Sequence, residues 1–103
     1  MEKISIKNIV IGFGKAGKTL AADLAKHGEE VILVERSSSM YGGTCINIGC
    51  IPSKKLLVEA KRKPFDANES VYFQQAMERK NTLISALRAV NYKKLNDLEG
   101  VRV

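Results

Sequence analysis

The sequence has no tryptophan, one histidine, two prolines and two cysteines among its 103 residues. Two cysteines are too few for the disulfide-dense scaffold of a small secreted domain. In a reducing compartment a bridge between them is catalytic or redox-sensing in character, not a structural staple. With His27 as the single histidine, a zinc site built on Cys45 and Cys50 falls short of four ligands. No apolar run approaches the ~20 residues that would span a membrane. The N-terminal MEKISIKNIVIG lacks the long apolar core and small-residue cleavage site of a secretory signal, which predicts a cytoplasmic protein with no membrane partner. There is no internal repeat, low-complexity tract or Gly/Ser/Pro-rich linker, so residues 1–103 read as the leading part of one domain.

What is present is charge, and it is unevenly spread. The net charge is +6, with six basic and five acidic groups in residues 1–52 against eleven and six in residues 53–103. The excess runs through Lys54, Lys55, Lys61, Arg62 and Lys63, then Arg79, Lys80, Arg88, Lys93 and Lys94, mixed with acids as on the wet faces of helices. Aromatics are only three Phe and three Tyr. No aromatic-interleaved basic stripe, zinc pattern or recognition-helix motif accompanies the lysines, so no nucleic-acid partner is expected.

Along the chain, Lys7 to Ile11 (KNIVI) is a continuous β-branched run that suits a buried parallel strand. From Gly14 to His27, the small and apolar positions Ala16, Leu20, Ala21, Leu24 and Ala25 recur at helical spacing, and Gly28 supplies a left-handed stop. Val31 to Glu35 (VILVE) is a second buried strand, completing a βαβ unit. Arg36 to Tyr41 is a polar loop. A helix is predicted to begin at Pro52, at a position that needs no backbone donor, and to run to about Lys63 before Pro64. Another runs from about Glu69 to Val90, with Phe73, Ala76, Met77, Leu83, Ile84, Leu87 and Val90 as its apolar face, interrupted by Lys80. NYKKLNDLEG reads as a short helical turn, and Val101 to Val103 begins a further strand. Two strands and a stub fall short of the parallel sheet in which such units sit, so the expectation is an α/β, Rossmann-like fragment of a larger three-layer domain.

Two motifs carry chemistry. Gly12-Phe13-Gly14-Lys15-Ala16-Gly17 is a G-x-G-x-x-G at the turn from the first strand into the first helix. Gly12 allows the tight turn, Gly14 allows a pyrophosphate to approach the backbone, and Gly17 allows the helix to pack on the strand. Free N–H groups and the positive end of the helix dipole face the phosphates, with Lys15 and Ala16 in the turn itself. Glu35 lies 18 residues beyond Gly17, where a carboxylate accepts hydrogen bonds from adenosine ribose hydroxyls and disfavours a 2′-phosphate. These residues do not distinguish FAD from NAD.

The second motif is GGTCINIGCIPSK, Gly42 to Lys54. On a regular helix, Cys45 and Cys50 would have Cα atoms about 8.6 Å apart, against the roughly 4.4–6.8 Å that a disulfide requires. A bridge therefore needs a local distortion, for which Gly49 and Pro52 are placed. Two free thiols and half of a metal site are the alternatives. Met40 and Tyr41, beside this loop, read either as gap-filling residues or as substrate contacts. His27 reads as a helix C-terminal residue favourable to the dipole.

The glycine motif, VILVER and GGTCINIGCIPSK together closely resemble the N-terminal FAD-binding domain of the pyridine nucleotide-disulfide oxidoreductases, among them dihydrolipoamide dehydrogenase, glutathione reductase and mercuric reductase. The wording GFGKAGKTLA with MYGGTCINIGC most resembles the branch of reactive-chlorine-resistance flavoproteins described as copper(II) or hypothiocyanous acid reductases. The resemblance implies that Gly12, Gly14 and Gly17, with Lys15 and Ala16, hold the FAD pyrophosphate, and that Glu35 and Arg36 lie at its adenosine ribose. It implies Gly43 and Thr44 beside the flavin, Cys45 as the thiol that meets substrate, Cys50 as the thiol against the flavin, and Lys54 near the flavin's reactive edge. The implied activity passes electrons from NAD(P)H through FAD to a Cys45–Cys50 disulfide and on to a small oxidised substrate. The implied protein is a homodimer whose nicotinamide and dimerisation domains are absent from this chain. A rival reading is a non-catalytic nucleotide-binding module in which the dithiol senses redox state.

Overall fold

Three short parallel strands and four helices form the computed structural model, which describes residues 3–103. Met1 and Glu2, the start of the stretch on which the signal-sequence reading rests, lie outside the described residues. Strand β1, Asn8–Ile11, leads into helix α1, Lys15–Lys26, and strand β2, Val31–Val34, pairs with β1 in parallel from Asn8↔Val31 to Ile11↔Val34. After a 3₁₀ turn at Ser38–Met40 come helix α2, Thr44–Asn47, helix α3, Cys50–Arg62, and helix α4, Glu69–Asn96. Strand β3, Val101–Arg102, pairs in parallel with β2, so β2 is central and the order is β1-β2-β3. This is the βαβ unit expected from the sequence, extended by a third strand into one part of a Rossmann-like sheet.

The core lies on one face of the sheet. Val10, Val31, Leu33 and Val101 point into it, Ala21 of α1 and Leu95 of α4 cover them, and Phe13 closes the end near the glycine turn. The expectation of strands buried on both sides is corrected here. Ile9 and Ile11 are 61% and 85% exposed, and Val34 is also exposed, because no described element covers the opposite face. In α1, likewise, Ala21 is buried while Leu20 faces solvent. Gly28, at φ +81°, reverses the chain after the His27 cap as predicted.

Helix α4 runs 28 residues without a break, so residues 91–96 belong to it and not to a separate turn. Beyond Lys80, Arg88 and Asn91 also occupy inward positions, where they hydrogen-bond to Asn47 and Lys18. Ala76 and Ile84 are buried as expected, but Phe73 and Val90 are 63% and 59% exposed. Asn68 caps the helix, its side chain accepting from Val71 N at 3.1 Å. The first half of α4 packs antiparallel on α3, joined by a charge cluster around the buried Glu59. Glu59 Oε1 accepts from Arg79 Nε (2.9 Å) and Lys55 Nζ (2.9 Å), and Oε2 accepts from Arg79 Nη2 (2.7 Å) and Tyr72 Oη (3.2 Å). Among the described residues no helix is long and apolar enough to cross a membrane.

Candidate functional site

The glycine turn divides its labour among three residues. Gly12 has φ +105°, the left-handed region in which glycine is at home. At Gly17 an added Cβ would lie 1.9 Å from the Gly12 carbonyl oxygen, so the helix reaches its packing distance only without a side chain. Gly14 differs from both. Its backbone is extended (φ −86°, ψ −171°), open to any residue, and an added Cβ would meet nothing within 4 Å. The protein's own packing does not require glycine at position 14, and the space beside it is free for a ligand. Gly14 also caps α1 with no side-chain hydrogen bond, and no acid occupies the first turn. The N–H groups there have no intrahelical acceptor and stand at the positive end of the dipole. Lys15 and Ala16 are exposed at this end.

Glu35 is brought to the same turn. Its Oε2 accepts from Phe13 N at 2.9 Å and its Oε1 from Ser37 N at 3.2 Å. The Phe13 N–H is the main reason its carboxyl stays below the usual range; the Ser37 and Arg36 N–H groups and the Arg36 charge act the same way, against burial. Each oxygen of the ionised carboxylate keeps lone-pair capacity for a further donor such as a hydroxyl. The donor set, the open space at Gly14 and the acid at the strand end together fit the ADP portion of a dinucleotide.

The cysteine segment is packed directly on this turn. Gly42 and Gly43 have φ +93° and +97°, and a Cβ on Gly43 would lie 2.8 Å from the Gly14 Cα. Gly42 N donates to Phe13 O at 3.1 Å. Thr44 then opens α2, and its carbonyl accepts from both Ile48 N (2.9 Å) and Gly49 N (2.8 Å). The helix stops there, and α3 restarts at Cys50, capped by Gly49. Pro52 is thus the third residue of its helix and not the first. Its missing N–H remains among the four that lack an intrahelical acceptor, so it is tolerated.

The break interrupts the regular helix between the two cysteines, the kind of distortion that a bridge at this spacing needs. Both cysteines are exposed and free. The hydrogen bond to Cys50 pushes the Cys45 thiol above its ordinary range, aided by desolvation and the Cys50 charge and opposed by the nearby Lys15 cation. The charge of Lys15, read from sequence as a phosphate contact, therefore also acts on Cys45. Lys54 follows Cys50 by four residues on the same face of α3 and is exposed. His27 lies at the far end of α1, its Nδ1 2.8 Å from Asp23 O.

Several residues around the site are not apparent from the sequence. Phe13, Tyr41 and Tyr92 form an aromatic ladder with ring centroids 5.2 and 5.0 Å apart, which makes Tyr41 a packing residue here. Lys18 Nζ donates to Asn91 Oδ1 (3.0 Å) and to Gly42 O (3.4 Å). Asn47, between the cysteines, hydrogen-bonds to Tyr41, Gly43 and Arg88. The available signal was the pair of polar residues, Arg88 and Asn91, on the inward side of an otherwise amphipathic helix.

Comparison with known proteins gives a consistent result. Residues 6–102 match the family model described as pyridine nucleotide-disulphide oxidoreductase. The chain is 50% identical over 95 residues to the probable pyridine nucleotide-disulfide oxidoreductase RclA of Escherichia coli, covering 92% of this chain and 20% of that protein. It is 36% identical over 103 residues to a dihydrolipoyl dehydrogenase of Haemophilus influenzae, covering 97% of this chain and 21% of the relative. Among solved structures, the Cu(II) complex of the HOCl-induced flavoprotein disulfide reductase RclA from Escherichia coli superposes with a TM-score of 0.82 at 47% identity, over 94% of this chain and 21% of that one. The chain spans about a fifth of the length of the relatives it matches.

Proposed function

The chain belongs to the pyridine nucleotide-disulphide oxidoreductase family, and we propose that residues 1–103 form the FAD-binding part of a longer, NAD(P)H-dependent disulfide reductase whose working thiols are Cys45 and Cys50. The observation that carries this reading is the contact of Gly43 with Gly14, where an added Cβ would have only 2.8 Å. A ligand seated on the first turn of α1 lies beside the segment that bears both cysteines.

The N–H groups at Gly14, Lys15 and Ala16 hold the pyrophosphate, and Glu35, kept ionised by the Phe13 N–H, accepts from the adenosine ribose hydroxyls. Its charge disfavours a nucleotide with a 2′-phosphate at this site. When bound, FAD supplies the two-electron couple between a reduced nicotinamide and the dithiol. Cys45, as thiolate, attacks one sulfur of a disulfide substrate and releases the first thiolate, which takes up the proton Cys45 gave up. Cys50 then attacks Cys45 Sγ, releases the second thiolate and leaves the Cys45–Cys50 disulfide. Lys15 and Lys54 place cations beside these thiols, where negative charge appears. The resemblance to RclA, solved as a Cu(II) complex, adds a metal ion to disulfides as a candidate acceptor, and the flavoprotein branch that the sequence resembles adds hypothiocyanous acid. The complete protein is read as a cytoplasmic homodimer.

The test is direct. Full-length protein is purified, its released cofactor is identified by mass and counted per chain, and its cysteine peptides are mapped with and without reductant. One FAD per chain and a Cys45–Cys50 linkage that reductant removes are expected. A flavin-free protein, or cysteines that stay unlinked under oxidant, would overturn the proposal.

A further inference from the structure

Cys45 lies in α2, a helix of only four residues. One turn fixes several backbone dihedrals for very few hydrogen bonds and does not persist alone. Its geometry must be imposed from outside, and contacts that do so converge on Asn47. The Asn47 amide nitrogen Nδ2 donates to Gly43 O at 2.8 Å and to Tyr41 O at 3.0 Å, while its backbone N also donates to Gly43 O at 3.1 Å. The residue at the end of the turn thus holds the carbonyl at its beginning twice over.

This arrangement works in only one orientation of the amide. Rotated by half a turn, Oδ1 would face two carbonyl oxygens and no donor. The choice is made by Arg88, whose Nε donates to Asn47 Oδ1 across 41 residues of sequence. A guanidinium has donors only, so it fixes Oδ1 toward itself and Nδ2 toward the two carbonyls. The same stretch of α4 reaches the segment before Cys45 twice more. Asn91 holds Lys18, which donates to Gly42 O, and Tyr92 stacks on Tyr41.

We propose that Arg88 is a positioning residue of the dithiol: through Asn47 it sets the turn that carries Cys45 and thereby the approach of Cys45 to Cys50. The inference rests on the reading of these cysteines as a redox pair. A disulfide closes only within a narrow range of Cβ separations, ~3.5–4.5 Å. A looser α2 spends less time in that range, which lowers the effective concentration of one thiol at the other and disfavours the disulfide.

The experiment uses full-length protein equilibrated with glutathione buffers, reading the fraction of Cys45–Cys50 disulfide by alkylation and mass, together with the pH profile of Cys45 alkylation in the reduced protein. Arg88→Met is expected to lower the equilibrium constant for disulfide formation several-fold and to move the Cys45 profile toward acid, as the hydrogen bond that the Cys45 thiol donates to Cys50 weakens. Arg88→Lys restores part of both. Asn47→Asp, which keeps the Arg88 partner but removes the side-chain donor to Gly43 O and Tyr41 O, reproduces the defect in disulfide formation and serves where Arg88→Met does not fold. Asn68→Ala removes the cap at the far end of α4 and is expected to lower Tm without moving either thiol readout. Wild-type protein that forms no disulfide would sink the redox reading itself. A normal wild type with unshifted Arg88→Met and Asn47→Asp, or with an equal shift in Asn68→Ala, would overturn this inference alone.

Discussion

Alanine at Gly14 and alanine at Gly17 should fail in opposite ways, although both alter the same six-residue turn. At Gly17 the new Cβ would lie 1.9 Å from the Gly12 carbonyl oxygen, against a floor of 3.0 Å for real contacts, so α1 must retreat by about 1.1 Å. The obstructing atom is backbone and cannot swing aside. Replacing a glycine in the first turn of a helix gains at most about 1 kcal/mol of helix propensity, and the forced separation of α1 from β1 costs about 1–3 kcal/mol or more. A net loss of about 1–2 kcal/mol and a Tm lower by several degrees are expected. At Gly14 the Cβ meets nothing within 4 Å, and the φ of −86° suits alanine. Losing glycine at an N-cap costs some tenths of a kcal/mol, and stiffening the unfolded chain returns about 0.4–1 kcal/mol, so stability should hardly change. The methyl group instead occupies the proposed pyrophosphate seat, and an overpacking cost of about 1–3 kcal/mol there weakens FAD binding roughly 5- to 150-fold. Thermal melts of the FAD-free proteins and FAD titrations by flavin fluorescence separate the two effects. Gly14→Ala with wild-type FAD affinity, or Gly17→Ala with wild-type stability, would refute the division of roles.

The remaining predictions concern titration and charge. Because the hydrogen bond and charge of Cys50 push the Cys45 thiol up, Cys50→Ser should move the Cys45 alkylation profile toward acid; a profile that stays in place would contradict the pairing. Glu59 is held at about 2 by Arg79 first and Lys55 next. A depressed carboxylate adds stability that is complete above its unfolded value, near 4.5, and is lost as pH falls through the folded one. Urea midpoints should therefore fall between about pH 4.5 and pH 2 in the wild type, and less steeply in Glu59→Gln; parallel curves would refute the cluster's role. Glu35→Ala leaves the fully buried Phe13 without its N–H acceptor, a cost of about 1–3 kcal/mol, so both Tm and FAD affinity should drop, whereas loss of affinity alone would mean that the Phe13 bond carries no stability.

Much of this was legible because local rules govern it. The βα turn, its glycines, the Gly28 stop and the second strand follow from residue types that act on their own backbone. So did the need for a break between Cys45 and Cys50, since five residues of regular helix hold two thiols too far apart. What could not be read depends on partners distant in sequence. Whether Ile9 and Ile11 are covered depends on what packs on the second sheet face. The true end of α4 was hidden because Arg88 and Asn91, polar in any periodicity, face inward for Asn47 and Lys18. The buried Glu59 cluster is invisible for the same reason: Arg79 reaches it from another helix, 20 residues away. Lys15 reads toward phosphate because its position in the glycine motif is known locally, and the packing of Gly43 on Gly14, which joins the cysteine segment to that motif, involves residues 29 apart in sequence.

The most direct test of the central claim is anaerobic, stepwise reduction of the full-length protein with NADPH or NADH, following the visible spectrum and the number of free thiols in the same sample. The account predicts a flavoprotein that gains two thiols, at Cys45 and Cys50, with the first two electrons, and a long-wavelength absorbance as they appear. A flavin that bleaches while the thiol count stays constant, or a protein with no flavin to reduce, would contradict it.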